Sequence, residues 1–222
     1  MAVAYADGYN GKRVSPMPLD EHLSILFWPL LIIDPTHVSP MPLHLTLGIT
    51  GSLLRLGIEA VFFNAGPAQA SAYAMKLSMT LRFGVGVTPK PYFGGAFEGR
   101  QCPMIARRLS SFVKLLVSYV PAEDAAAYRV ACRTWSELLP VLSLTSDSST
   151  EDDVTAFQAG TATFVDGLCG AFPGLTVTPR LHVLCYHASD FLRRLGSLGR
   201  YSEQGLESWH AHLKKNGRNA AC

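Results

Sequence analysis

PMIARRLSSFVKLLVSYVPAEDAAAYRVACRTWSELLP, residues 103–140, decides the fold class. Ile105, Leu109, Phe112, Leu116 and Val120 recur at intervals of three and four, which stacks them on one face of a helix over Pro103–Val120. A second helix follows over Ala122–Leu139. Pro121 and the acids Glu123 and Asp124 begin it, and Pro140 is expected to stop it. Two successive helical patterns with no alternating run between them point to an α-helical domain.

The same grammar continues downstream. Ser149 or Thr150 caps a third helix over Thr150–Leu168, with Glu151, Asp152 and Asp153 in the turn where acids suit the helix dipole. A fourth is predicted over Arg180–Leu195, between Pro179 and Gly196, and a last one over Ser202–Lys215, stopped by Gly217. Upstream, Gly84–Arg100 carries five glycines before Arg100 and two prolines, and reads as a loop. A short helix is expected over Ala68–Phe83. Another starts at Leu43 and ends at Gly66-Pro67, with Leu47, Leu54, Ile58, Val61 and Phe62 as its apolar stripe. Residues 1–42 hold Pro16, Pro18, Pro29, Pro35, Pro40 and Pro42, which forbid a long helix. The expected organisation is an irregular, proline-rich lead-in over 1–42 and a mainly α domain over 43–222. The uncapped opening fits a chain whose natural upstream part is missing.

Composition narrows the class. Apolar residues make up 48% and charged residues 16% of the 222, below the roughly 25% charge of an average globular chain. Disorder is excluded. The low charge predicts apolar surface that the rest of a larger protein, a partner subunit or a second copy covers. The net charge of +2 excludes a polyanion binder over the whole chain, but residues 180–222 hold seven Lys or Arg against three acids. That local excess suits either a phosphate backbone or a solvated helix face. Five widely spaced cysteines without a CxxC read as reduced thiols. The longest apolar run, Leu23–Ile33, is eleven residues and contains Pro29, too short for a bilayer. No signal core opens the chain, so a nuclear or cytoplasmic protein with no membrane association is expected.

The chemistry-bearing segment is TPRLHVLCYHASDFLRRLGSLGRYSEQGLESWHAHLKK, Thr178–Lys215. Neutral imidazole is a good zinc ligand. His182 and His187 are five apart, however, and five helical steps turn about 500°, so the rings do not share a face of a regular helix. They reach one metal only if one of them sits at a helix end, or if ligands from elsewhere join them. His182 and Cys185 do share a face. The alternative is a pair of hydrogen-bonded core histidines beside Leu184 and Phe191. Glu203 and Glu207 are four apart and stack on one face, a pair able to hold Mg²⁺ or Mn²⁺ through oxygen, with His210 on the same side. The alternative there is a capping arrangement in which Ser202 caps the helix and Glu207 is a surface charge. His44, in PMPLHLTLG, stands at the start of an apolar helix as a capping or core residue. The glycines at 94, 95 and 99 have the wrong spacing for a phosphate loop, and no GxSxG occurs.

Taken together, His182 and His187, the link Gly196-Ser197-Leu198-Gly199, Ser202-Glu203, Glu207-Ser208 and the basic residues after them resemble one family's C-terminal pattern. It is the end of the catalytic core of Transib-type transposases and the related antigen-receptor recombinase. Pro42-Leu43-His44 with Leu47-Gly48 resembles a second stretch of that family, in which a Leu-His step opens a helix near the active site. The two anchors cover about 40–63 and 178–218, and the region between is matched only as a helical insertion. The resemblance implies the helical C-terminal portion and insertion of an RNase H-like core. It implies His182 and His187 as zinc ligands, and Glu207 as the third catalytic acid with Glu203 as its substitute. His44 would lie beside the active site, and Arg200, Lys214, Lys215 and Arg218 would contact DNA.

It also implies what is lacking. The family's chemistry needs two strand-borne aspartates and an earlier CxxC. This sequence has neither, and Asp20 and Asp34 stand in no strand context. The zinc site has two of the usual four ligands, and one glutamate cannot hold the two ions of the reaction. The expected function is a transposase-derived DNA-binding or recombination domain, catalytically incomplete alone. The alternative is a non-catalytic helical interaction domain whose histidines are structural.

Overall fold

In the computed structural model, residues 42–88, 97, 101–146 and 149–202 are described. They belong to one unit, Pro40–Cys222. Among them every regular element is helical and no strand occurs, so the fold is mainly α.

The core is built on an antiparallel pair, α5 (Ala122–Ser143) and α6 (Glu151–Ala171). On α5 the buried residues Ala125, Tyr128, Ala131, Cys132, Trp135, Leu138, Leu139 and Leu142 keep helical spacing. Leu138 lies over Gly160, Trp135 meets Phe164 with ring centroids 5.6 Å apart, and Ala131 lies over Gly167. As numbering rises on one helix it falls on the other, as a short connection between neighbours requires. Small residues let the backbones close: a Cβ at Gly167 would stand 2.9 Å from the Ala131 amide nitrogen. Helix α6 begins with a capping box. The Thr150 hydroxyl accepts from the Asp153 N–H at 3.2 Å, and the Asp153 carboxylate accepts from the Thr150 N–H at 2.8 Å.

Helix α1 (Pro42–Ala65) crosses this pair. The Trp135 indole N–H donates to the Thr50 hydroxyl at 3.0 Å, and the Tyr128 hydroxyl donates to the Leu53 carbonyl. Both bonds satisfy polar atoms deep in the core, where leaving them unmade costs about 1–3 kcal/mol each. The buried face of α1 is broader than the predicted stripe. Leu54 and Val61 are buried, but so are Leu43, Leu45, Ile49, Leu53 and Leu56, while Phe62 is exposed. Among the described helices α1 alone has the length and apolarity to cross a membrane, and half of its most apolar window is already buried inside the domain.

Helix α2 (Pro67–Met79) starts after Gly66, at φ 89°, and runs into a π turn over Thr80–Val85 that Gly86 ends at φ 76°. Three sequence expectations are corrected downstream. The predicted helix over Pro103–Val120 is two, α3 (Cys102–Ala106) and α4 (Leu109–Leu116), broken at Arg107-Arg108. Its apolar stripe stays buried as far as Leu116 but not to Val120. Pro140 does not stop α5, which continues to Ser143 with Leu142 buried beneath its last turn. A proline near a helix end removes one bond, and burial of the following turn outweighs it. The predicted helix over Arg180–Leu195 is also two, α7 (Pro179–Tyr186) and α8 (Ala188–Leu195).

The link after α8 has a full structural account. Gly196 ends α8 at φ 66°, and its N–H donates to the Leu192 carbonyl at 2.8 Å. The buried Ser197 hydroxyl donates to the Leu144 carbonyl, Leu198 fills the core, and the Gly199 N–H donates to the same Leu144 carbonyl at 2.9 Å. A Cβ at Gly199 would meet the Ser143 carbonyl at 2.5 Å, so only glycine fits. A 3₁₀ turn, Gly199–Tyr201, completes the described chain.

Candidate metal and nucleic-acid site

Helix α7 is capped by Thr178, whose hydroxyl accepts from the Leu181 N–H at 3.3 Å, and it carries His182 one turn in. It ends at Tyr186. His187 then takes φ −125°, ψ −32°, outside helical values, and serves as the junction from which α8 restarts. The break changes the angle between the two imidazoles. In a regular helix they diverge; here the Nε2 atoms are 3.2 Å apart and the ring centroids 5.1 Å. The Tyr186 ring lies 4.9 Å from that of His182, tilted by 34°. His182 is half-buried, and His187 and Tyr186 are exposed. The pair therefore stands at the surface, not in the core beside Leu184, which is fully buried.

Two chemistries fit this spacing. One ring can donate N–H to the other, which requires one protonated and one bare Nε2. Alternatively both bare nitrogens can face one ion. Two nitrogens of a tetrahedral zinc, each at 2.0–2.1 Å, stand about 3.3–3.4 Å apart. Two donors are not a site by themselves. Among the described residues no group of three or more His, Cys, Asp or Glu side chains is placed to hold a metal. Burial, and after it the neighbouring Cys169, pushes the Cys185 thiol up to about 11, so in the metal-free chain it is protonated at neutral pH.

The other sequence-predicted residues fall as follows. His44 is exposed in the first turn of α1. Arg200 is exposed in the 3₁₀ turn, its N–H donating to the Ser197 hydroxyl at 3.3 Å. Glu203, Glu207, His210, Lys214, Lys215 and Arg218 lie outside the described residues, as do Asp20 and Asp34. Part of the basic character of the C-terminal segment is neutralised internally. Arg193 forks onto Glu151 of α6 at 2.9–3.1 Å and reaches Asp190 at 3.0 Å. The bonds from Arg193 hold the Glu151 carboxyl below its usual range.

One feature that the spacing of motifs does not reveal is the position of Arg180. Its side chain lies across the backbone of Gly48 on α1, so close that a Cβ there would stand 2.1 Å from Arg180 Cδ. No protein-family model matches this chain, and no curated protein matches it in sequence.

Proposed function

We propose that this chain is a transposase-derived helical domain that engages DNA jointly with the residues or subunit completing its active site, and that it does not cleave DNA alone. The observation that carries the reading is the convergence of His182 and His187 at the helix break, at a separation close to the edge of a tetrahedral zinc site. In this reading both imidazoles form half of a structural zinc site, and the remaining ligands come from outside the described residues or from a partner chain. The zinc would tie the α7–α8 junction to that partner segment.

Glu207, with Glu203 as its substitute, contributes one carboxylate toward a Mg²⁺ or Mn²⁺ ion once two further acids are supplied. Ions held there would supply electrostatic stabilisation of the charge that develops on a reacting phosphodiester. Arg200, Lys214, Lys215 and Arg218 contribute the charge that favours a phosphate backbone. His44 would then stand beside that active site. A nuclear location follows from the same reading.

The test is metal content of the full chain purified with zinc present, followed by cobalt substitution. The reading expects bound metal and a visible cobalt absorption that His182→Ala and His187→Ala both abolish. Wild type holding no metal in either experiment would sink it. Binding to duplex DNA should weaken as salt rises, and weaken further in Lys214→Gln with Lys215→Gln.

A second reading, a non-catalytic helical interaction domain in which the two histidines bond only to each other, is favoured by a different observation. Phe63 and Phe83 are 82% and 74% exposed, and Met75 and Met79 are exposed on α2 as well. Large apolar side chains left in water in one neighbourhood of sequence mark contact surfaces. The absence of metal together with self-association or partner capture lost in Phe83→Ser would favour it.

A further inference from the structure

Charge is divided along this chain. Between Ala60 and Ala122 the sequence holds seven Lys or Arg and one acid; between Glu123 and Asp166 it holds eight acids and two Arg. The net charge of +2 conceals the division. Each stretch presents one exposed helix face, and the two faces are opposite in shape as well as in sign.

The first face lies on α2 and the π turn that continues it. Ala70, Tyr73 and Leu77 turn inward. Met75, Met79 and Phe83, spaced four residues apart, stand in a row on the outside, 63%, 53% and 74% exposed. Lys76 and Arg82 flank the row. Lys76 donates to the Tyr119 hydroxyl at 3.3 Å, and the Arg82 guanidinium lies 5.4 Å over the Phe83 ring. Neither cation has an acid partner among the described residues. The face is a ridge of large apolar side chains set between positive charges.

The second face lies on α6. Val154, Phe157, Thr161, Phe164 and Leu168 are buried. The opposite side carries Thr155, Ala159 and Ala162, with Ala156 and Thr163 beside them, all exposed. This is a shallow trough of small side chains, and the exposed Asp152 and Asp166 stand three residues beyond its ends. Both carboxylates lack a basic partner among the described residues, whereas Arg193 holds Glu151 and the capping box holds Asp153.

Ridge and trough match in length. Met75–Phe83 and Thr155–Thr163 each advance eight residues, about 12 Å along a helix. Small side chains let a second helix approach to about 8 Å. The Asp152–Asp166 span exceeds that of Lys76–Arg82 by about 6 Å at each end, and the flexible stems of Lys and Arg cover that distance. Both faces are exposed within one chain, so neither covers the other there. We propose that they meet between chains: the Met75–Phe83 ridge of one copy docks on the Thr155–Thr163 trough of a second copy, with Lys76 and Arg82 facing Asp152 and Asp166. The contact is heterologous, joining different surfaces of identical chains. It takes up exposed residues of the second reading above, and it needs neither a metal at the paired histidines nor DNA.

Sedimentation velocity and light scattering of the full chain test this. The mass of wild type should rise with concentration over about 1–100 µM and fall as salt screens the facing charges. Two charge variants are then compared: Lys76→Glu with Arg82→Glu, and Asp152→Lys with Asp166→Lys. All four positions are exposed, and circular dichroism should match wild type. Each variant alone sets like charges face to face and should self-associate about tenfold more weakly or worse. Mixed in equal amounts, the two should associate again, because each ridge then finds a trough of opposite sign. Loss of folding cannot produce that rescue. Met79→Ser with Phe83→Ser, which keeps every charge, should also stay monomeric. Three results would overturn the proposal: wild type monomeric at every concentration, either charge variant associating like wild type, or a mixture that stays monomeric. A monomeric wild type that sediments with phosphatidylserine vesicles would overturn it as well, and would assign the ridge to a lipid surface.

Discussion

The same substitution made at two glycines should have opposite effects on stability. Gly51 of α1 has open space where a Cβ would go. Gly51→Ala therefore collects the helix-propensity difference of about 0.5–1 kcal/mol with nothing to offset it. Gly167 of α6 faces the backbone of α5. A Cβ there would lie 2.9 Å from the Ala131 nitrogen, 3.0 Å from the Ala127 oxygen and 3.2 Å from the Ala131 Cβ. Backbone atoms of a packed helix cannot rotate aside, so the two helices must separate. Overpacking of this kind costs about 1–3 kcal/mol, which outweighs the propensity gain and leaves Gly167→Ala about 1 kcal/mol less stable. For a chain of this length about 1 kcal/mol moves the thermal midpoint by roughly 2–4 °C. Thermal melts and urea titrations of both full-length variants should then show Gly51→Ala above wild type and Gly167→Ala below it, about 5 °C apart. If Gly167→Ala melts at or above wild type, the α5–α6 seam is not as close as described and the argument from backbone contact fails.

Three further outcomes follow from the core and its caps. Burial pushes the Cys132 thiol up to about 12 and the Cys102 thiol up to about 11, from an ordinary value of 9.0. Both stay protonated in the folded state while the unfolded chain ionises. The unfolding free energy from urea titration should therefore hold up to about pH 9 and fall from there to about 11, by about 1.4 kcal/mol per pH unit for each thiol; a flat value across that range would contradict the burial. Alkylation under native conditions, read peptide by peptide in a mass spectrometer, should label the exposed Cys169 well before Cys102 and Cys132, which need unfolding. Thr150→Ala removes half of the capping box at the start of α6 and should lower stability by about 1 kcal/mol in the same urea titration.

The helical class was legible because its signal is local. Ile105, Leu109, Phe112 and Leu116 repeat at helical spacing, and all four are buried. Thr150 with its acids marked the start of α6 for the same reason. The interruptions were not legible. Nothing in Arg107-Arg108 or in His187 forbids a helix, and the chain breaks there between turns that bury their apolar faces separately. Pro140 misled in the other direction, since a local rule predicted a stop that the burial of Leu142 overrides. At the candidate site, spacing alone set His182 and His187 apart, with a helix end named as one of two conditions that join them, the other being ligands from elsewhere. His187 meets the first condition. The Arg180 seat had no sequence signal at all, because it depends on a glycine in a distant helix passing beneath the arginine.

The link from Gly196 to Gly199 closes two helices with four residues. Gly196 terminates α8, while Ser197 and Gly199 occupy the carbonyl of Leu144, just past the end of α5. Fraying at either end is therefore a shared event: amide hydrogens in the last turns of α5 and α8 should exchange with deuterium at matched rates. A bulky side chain at residue 199 should quicken both together, although the helices are far apart along the chain.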